Sequence, residues 1–164
     1  SKAAADMLVR SYHVTHGMDT VITRCSNNYG PFQHEEKFVP KIITSILKGK
    51  KVPVYGTGEN RRDWIYVKDH CDGIWSAALL GKSGDIYNFG GNSEYSNIEI
   101  VRLITGIIEP ESSPNKYVEF VKDRKGHDFR YAIDFSKASK KLAWKPKVLF
   151  EEGIQKTVEW YKSN

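Results

Sequence analysis

Short β-branched runs alternate with stretches of helical apolar spacing along all 164 residues, without internal repeat or low-complexity linker. That alternation restricts the chain to a mixed α/β architecture. Residues 1–16 have helical spacing, with Ala5, Leu8, Val9 and Tyr12 on one face, and Gly17 ends the run. The run 20–24 reads as a strand. It leads into Asn27-Asn28-Tyr29-Gly30-Pro31, where glycine and proline imply a turning loop. Residues 36–47 predict a helix burying Val39, Ile42, Ile43, Ile46 and Leu47, closed by Gly49. Strands over 52–55 and 64–67 flank Gly56-Thr57-Gly58-Glu59-Asn60. A dinucleotide-binding loop needs glycines that open a helix, so glycines between two strands read as a turn.

The spacing over 69–80 predicts a helix that buries Cys71, Ile74, Trp75, Ala78 and Leu79, followed by a strand over 86–89 ending in Gly90-Gly91. Ser96 with Glu99 forms a capping-box pattern for a helix through Ile108 that turns Ile98, Val101 and Ile104 inward and puts Asn97 at the helix mouth. Residues 109–116, with Pro110 and Pro114, are the most loop-like and are expected to separate two subregions. Strands are expected over 117–121 and 130–133, a short helix over 136–142, and a closing amphipathic helix over 151–161 through Ile154 and Val158.

A hydrophobic content of 40% with 12% aromatics is enough for a core and predicts one domain or a large part of one. Cys25 and Cys71 have neither metal-type nor redox-type spacing, so free thiols in apolar surroundings, a cytoplasmic setting and no metal are expected. No apolar stretch approaches a membrane span, and the opening residues lack the order of a signal peptide, so neither membrane nor export is expected. The net charge of +5 raises nucleic acid as a partner. However, the densest cluster, Lys137, Lys140, Lys141, Lys145 and Lys147, reads as a solvated face, and no nucleic-acid partner is expected.

Chemistry concentrates in three polar clusters where apolar elements give way to loops: Arg24-Cys25-Ser26-Asn27-Asn28-Tyr29-Gly30-Pro31, Arg62-Asp63-Trp64, and Arg124-Lys125-Gly126-His127-Asp128. Together they describe a pocket for an anionic, hydroxyl-rich molecule. Because no glycine-rich strand-to-helix turn for phosphates opens the sequence, the pocket reads as half of a larger site.

These clusters, with Ser1-Lys2-Ala3-Ala4, the continuation Ile65-Tyr66-Val67, Tyr87-Asn88-Phe89-Gly90-Gly91, Arg130-Tyr131-Ala132-Ile133-Asp134 and Trp144-Lys145-Pro146, stand in the order found in dTDP-glucose 4,6-dehydratases. The whole chain resembles the C-terminal half or so of that family, which belongs to the extended short-chain dehydrogenase/reductase superfamily. The resemblance implies an α/β fold comprising the end of a Rossmann domain interleaved with a smaller mixed α/β substrate-binding domain. The N-terminal NAD-binding half would lie outside this sequence. A nucleotide-sugar 4-epimerase, a UDP-glucuronate decarboxylase and an inert binding fragment remain alternatives.

By the same resemblance, Lys2 is the lysine of the Tyr-x-x-x-Lys pair, a catalytic residue that also binds the nicotinamide ribose. Asn27 contacts the substrate diphosphate, and the backbone at Asn27 and Asn28 lies near the nicotinamide. Turn geometry alone is the competing account of both asparagines. Arg62 and Arg124 are implied diphosphate clamps, consistent with the fit of planar guanidinium to phosphate oxygens. The rival reading pairs Arg62 with Asp63 or Glu59 at the surface. Asn97, His127 and Lys37 are further implied substrate contacts. Phe129 stands where many relatives carry a basic residue. The implied reaction dehydrates a nucleotide-diphosphate sugar through an NAD hydride cycle. A homodimer through the helix that carries Lys2 is implied, and no turnover is expected from these 164 residues alone.

Overall fold

The structure is a computed structural model that describes residues 1–164. Helices α2 (Phe38–Leu47), α4 (Asn97–Ile108) and α6 (Phe150–Ser163) each present an apolar stripe at three- and four-residue spacing. The stripes meet in a core of Val39, Ile42, Ile43, Ile46, Ile100, Val101, Ile104, Phe150, Ile154 and Val158. Each such side chain withdrawn from water contributes about 1.5–3 kcal/mol. The capping box of α4 is complete, since Ser96 Oγ accepts the Glu99 N–H and the Glu99 carboxylate accepts the Ser96 N–H.

Strand β4 (Arg61–Tyr66) organises the sheets. It pairs in parallel with β2 (Asn27–Tyr29) and β8 (Arg130–Tyr131) and antiparallel with β6 (Glu94–Ser96). Trp64 joins the first core, whereas its neighbour Ile65 joins a second, with Ala77, Tyr87, Phe89, Ala138, Leu142 and Trp144. Strand alternation sends the two side chains to opposite faces, so β4 divides the molecule. A separate parallel pair joins β1 (Ile22–Cys25) to β5 (Ile86–Phe89), and another joins β3 (Val52–Tyr55) to β7 (Val118–Val121). Helix α1 (Lys2–His16) ties to β1 through Asp6 and Arg24, while α3 (Val67–Leu80) packs on the other face, against Tyr87 and Phe89. Helix α5 (Ser136–Leu142) packs beside α3 and β5. No helix is long and apolar enough to cross a membrane.

The mixed α/β class and most elements agree with the sequence reading, and the differences have physical causes. Asn27-Asn28-Tyr29 forms β2 rather than a loop, and the turn begins only at Gly30, because β4 supplies a parallel partner that local sequence cannot announce. Likewise β4 begins at Arg61 and ends at Tyr66, β7 begins at Val118, β8 is only Arg130–Tyr131, and β6 was not foreseen. Helix α1 buries none of its residues, and Leu8 and Tyr12 are exposed.

Helix α3 reverses its expected face: Gly73 and Ala77 are buried, while Cys71, Ile74, Trp75, Ala78 and Leu79 are exposed. A Cβ at Gly73 would lie 2.7 Å from the Phe89 ring, so the helix approaches β5 through its smallest side chains. Both cysteines are free thiols that belong to neither apolar core. Leu47 is also exposed. Finally, residues 109–116 do not separate subregions. They connect α4 to Tyr117 and β7 within the first core.

Candidate functional site

The register of β2 against β4 builds the site. Asn27 lies opposite Trp64 and Tyr29 opposite Tyr66, so Asn27, Trp64 and, two residues earlier, Arg62 project to one face. All three line a cleft of about 470 Å³. Its other walls come from α2 (Glu36 just before it, then Phe38, Lys41 and Ile42), β3 (Val52, Pro53 and Tyr55), Asn97 at the start of α4, and Arg124 and His127 after β7. The backbone N–H groups of Asn97 and Ile98 donate to the carbonyls of Asn60 and Gly58, so the Asn97 side-chain amide is what α4 offers the cleft.

Arg62 is only 8% exposed. Its Nη1 donates to the Arg61 and Phe129 carbonyls and its Nη2 to the Asp128 carbonyl at 2.6 Å. It therefore anchors the 124–130 segment to the cleft wall and forms no surface pair with Asp63 or Glu59. Asp63 instead accepts the N–H groups of Gly91 and Ser93. The Tyr131 ring lies 4.9 Å from the Arg62 guanidinium carbon, and its hydroxyl donates to Asn27 Oδ1. That contact leaves the Asn27 NH2 as the end free to donate to a ligand. Arg124 enters the hydrogen-bond network only through its backbone N–H. His127 packs edge-on against Tyr55 at 6.1 Å and bonds Asp123 through Nδ1.

Asn28 points the other way. Its amide donates to Cys25 Sγ and the Ser26 carbonyl, and its Oδ1 lies 2.9 Å from His70 Nδ1. Burial lowers the His70 pKa, which favours a neutral ring and a single donor at that contact. Lys2, at the first turn of α1, is not part of the cleft lining and lies near the end of β1. Burial raises the Cys25 thiol pKa, an effect partly offset by the Asn28 amide and the Lys2 ammonium. Ser26 Oγ, just beyond, is buried without a hydrogen-bond partner.

The structure thus brings Asn27, Arg62, Asn97, Arg124 and His127 together, and places Lys2 and Asn28 at a second locus around Cys25. Lys37 is not in the cleft lining, whereas Lys41, one helical turn on, is. Sequence reasoning missed Lys41, Tyr55 and Tyr131. For Tyr55 a signal existed, since Pro53 and Tyr55 alternate with buried Val52 and Val54 as a half-buried strand requires.

Residues 1–157 match the family described as GDP-mannose 4,6 dehydratase. A dTDP-glucose 4,6-dehydratase from Actinoplanes sp. is 48% identical over 164 residues, covering all of this chain and 50% of that protein. The crystal structure of DesIV, a dTDP-glucose 4,6-dehydratase from Streptomyces venezuelae with NAD and TYD bound, superposes with a TM-score of 0.94 at 42% identity over 99% of this chain and 50% of that one. A dTDP-glucose 4,6-dehydratase from Bacillus anthracis in complex with NAD gives a TM-score of 0.92 at 45% identity, over 99% of this chain and 51% of that one. The chain spans about half the length of the relatives it matches.

Proposed function

The chain belongs to the GDP-mannose 4,6-dehydratase family, and on that premise we propose that it is the sugar-nucleotide-binding portion of a dTDP-glucose 4,6-dehydratase. The observation that carries this reading is the convergence of two arginines, two asparagines and a histidine from four separate segments on one cleft. Guanidinium and amide N–H groups suit the oxygens of a pyrophosphate, and the apolar wall of Phe38, Ile42, Val52 and Pro53 suits a nucleoside. The similarity to dehydratases that carry NAD and TYD supports the same ligands here.

We assign α1, β1, α3 and β5 to the end of a Rossmann domain and the body around α2, α4 and α6 to the substrate domain, with the chain passing repeatedly between them. The residues at the carboxyl end of β1 fit a dinucleotide, because Ser26 Oγ is a buried polar atom in need of a partner and Lys2 brings a cation nearby. When bound there, NAD supplies reversible hydride transfer. Lys2 would bind the nicotinamide ribose and favour an ionised neighbouring tyrosine. Asn27, Arg62, Arg124 and His127 would hold the diphosphate of the sugar nucleotide, and Asn97 its nucleoside end. Helix α1, which buries no residue here, is assigned to a homodimer contact. A cytoplasmic setting completes the reading.

Calorimetric titration of the chain with dTDP, UDP and NAD tests this assignment. Binding of dTDP in preference to UDP is expected, with no 4-keto-6-deoxy product when dTDP-glucose and NAD are supplied to the 164-residue chain alone. Absence of dTDP binding defeats the reading, and a preference for UDP redirects it to a 4-epimerase or decarboxylase.

A further inference from the structure

The segment between β7 and β8 delivers Arg124 and His127 to the cleft with neither helix nor strand to hold them. Arg62 and Asn60 hold its far end through the Asp128 and Phe129 carbonyls, and Asp123 holds Arg124 and His127 themselves. Asp123 Oδ1 accepts the Arg124 N–H at 2.8 Å and bonds His127 Nδ1 at 2.7 Å. An ionised carboxylate only accepts, so the imidazole donates through Nδ1 and Nε2 is left as the one free ring nitrogen. The His127 side chain is 6% exposed and is braced against the Tyr55 ring, with the planes at 83°. The His127 hydrogen bond, together with the Arg124 N–H, holds the Asp123 carboxyl below its ordinary pKa.

The turn after β3 makes room for this arrangement. Gly56 has φ +58, and a Cβ there would lie 3.3 Å from Asp123 Oδ2. Its N–H donates to the Val121 carbonyl at 2.9 Å, which draws the ends of β3 and β7 together around the carboxylate. The glycine-rich turn that resembles a phosphate loop in sequence thus has a different use, as a gap into which a carboxylate fits.

We propose that Asp123 is a positioning residue for nucleotide binding, its carboxylate setting Arg124 and His127 side by side as a two-pronged grip on the pyrophosphate of a nucleoside diphosphate. This rests on the nucleotide-binding reading above. Asp123 touches no ligand itself and acts through its two neighbours. A carboxylate that merely stabilised the loop would leave the imidazole tautomer and the phosphate dependence of binding untouched, and those two properties are what the test reads.

The first readout needs no ligand. Ring-nitrogen spectra of the histidine-labelled chain, recorded at a pH high enough for the imidazole to be neutral and with His127 assigned by loss of its signal in His127→Gln, should show the proton at Nδ1. Asp123→Ala should move that proton to Nε2. The second readout is calorimetry with dTDP and with thymidine. Asp123→Ala should weaken dTDP binding about 10-fold while thymidine stays within about 2-fold, as expected for the loss of hydrogen bonds that orient charged contacts. Asp123→Asn keeps an acceptor oxygen and should restore most of the affinity at an unchanged thermal midpoint. A wild-type ring protonated at Nε2, unchanged dTDP affinity in Asp123→Ala, or equal losses for dTDP and thymidine would each overturn the proposal. Failure of the wild-type chain to bind dTDP overturns the nucleotide-binding reading and this proposal together, with the tautomer still reporting whether the Asp123–His127 pair exists.

Discussion

Asn27 and Asn28 are adjacent and chemically identical, and the pleat of a three-residue strand sends them to different sites. Asn27 faces the cleft with Arg62 and Trp64, whereas Asn28 is held by Cys25, Ser26 and His70. Asn27→Ala should therefore weaken dTDP binding about 10-fold with little change in thermal midpoint, by loss of a donor to a charged oxygen. Asn28→Ala should do the reverse. It leaves the half-buried His70 Nδ1 without its acceptor, and a loss of about 1–2 kcal/mol in denaturant unfolding with near-normal dTDP affinity is expected. Equal behaviour of the two variants in both assays would refute the assignment. The residue types in the motif are legible in sequence, but their division of labour is not, because it depends on β2 being a strand.

Helix α3 shows the same limit for an element. Its apolar spacing is real, yet the side chains that meet β5 are Gly73 and Ala77, chosen by how closely a helix must approach Phe89. Gly73→Ala should destabilise the chain by about 1–2 kcal/mol, although alanine is the better helix former by about 1 kcal/mol, since the added methyl must displace a buried ring. Trp75→Lys, at a position 66% exposed, should change stability by no more than about 0.5 kcal/mol. The order of those two effects reverses if the apolar stripe of α3 is its buried face.

The connection from α4 to β7 carries its own pH dependence. Glu109 accepts from Lys116, Ser112 and Tyr117, which hold its carboxyl at about 2 against an ordinary 4.5. A folded-state value below the unfolded one means stabilisation that is complete above about 4.5 and fades as pH falls towards 2. The gap in thermal midpoint between wild type and Glu109→Gln should accordingly close over that interval. A gap that is constant with pH would show that the three donors do not distinguish the ionised form.

For the molecule as a whole, the exposed surface of α1 matters most. Met7, Leu8, Tyr12 and Val14 are all at least half exposed, more apolar surface than a solvated helix needs. If α1 is the homodimer contact, sedimentation should show concentration-dependent association of the wild-type chain that Leu8→Lys abolishes while dTDP affinity is retained; a monomeric wild type at high concentration removes that assignment. Local chemistry in the sequence was sufficient to determine the alternation of helices and strands, the capping box of α4, the turn at Gly56 and the residue types of the three polar clusters, because each depends on groups within a few residues of one another. Only the tertiary structure decided that β4 separates two cores, that Asn27 and not Asn28 faces the cleft, that Lys41 rather than Lys37 lines it, and that Asp123 bonds both Arg124 and His127. Those outcomes depend on pairing and packing between segments far apart in the chain, where register and closeness of approach, rather than residue type, set which atoms meet.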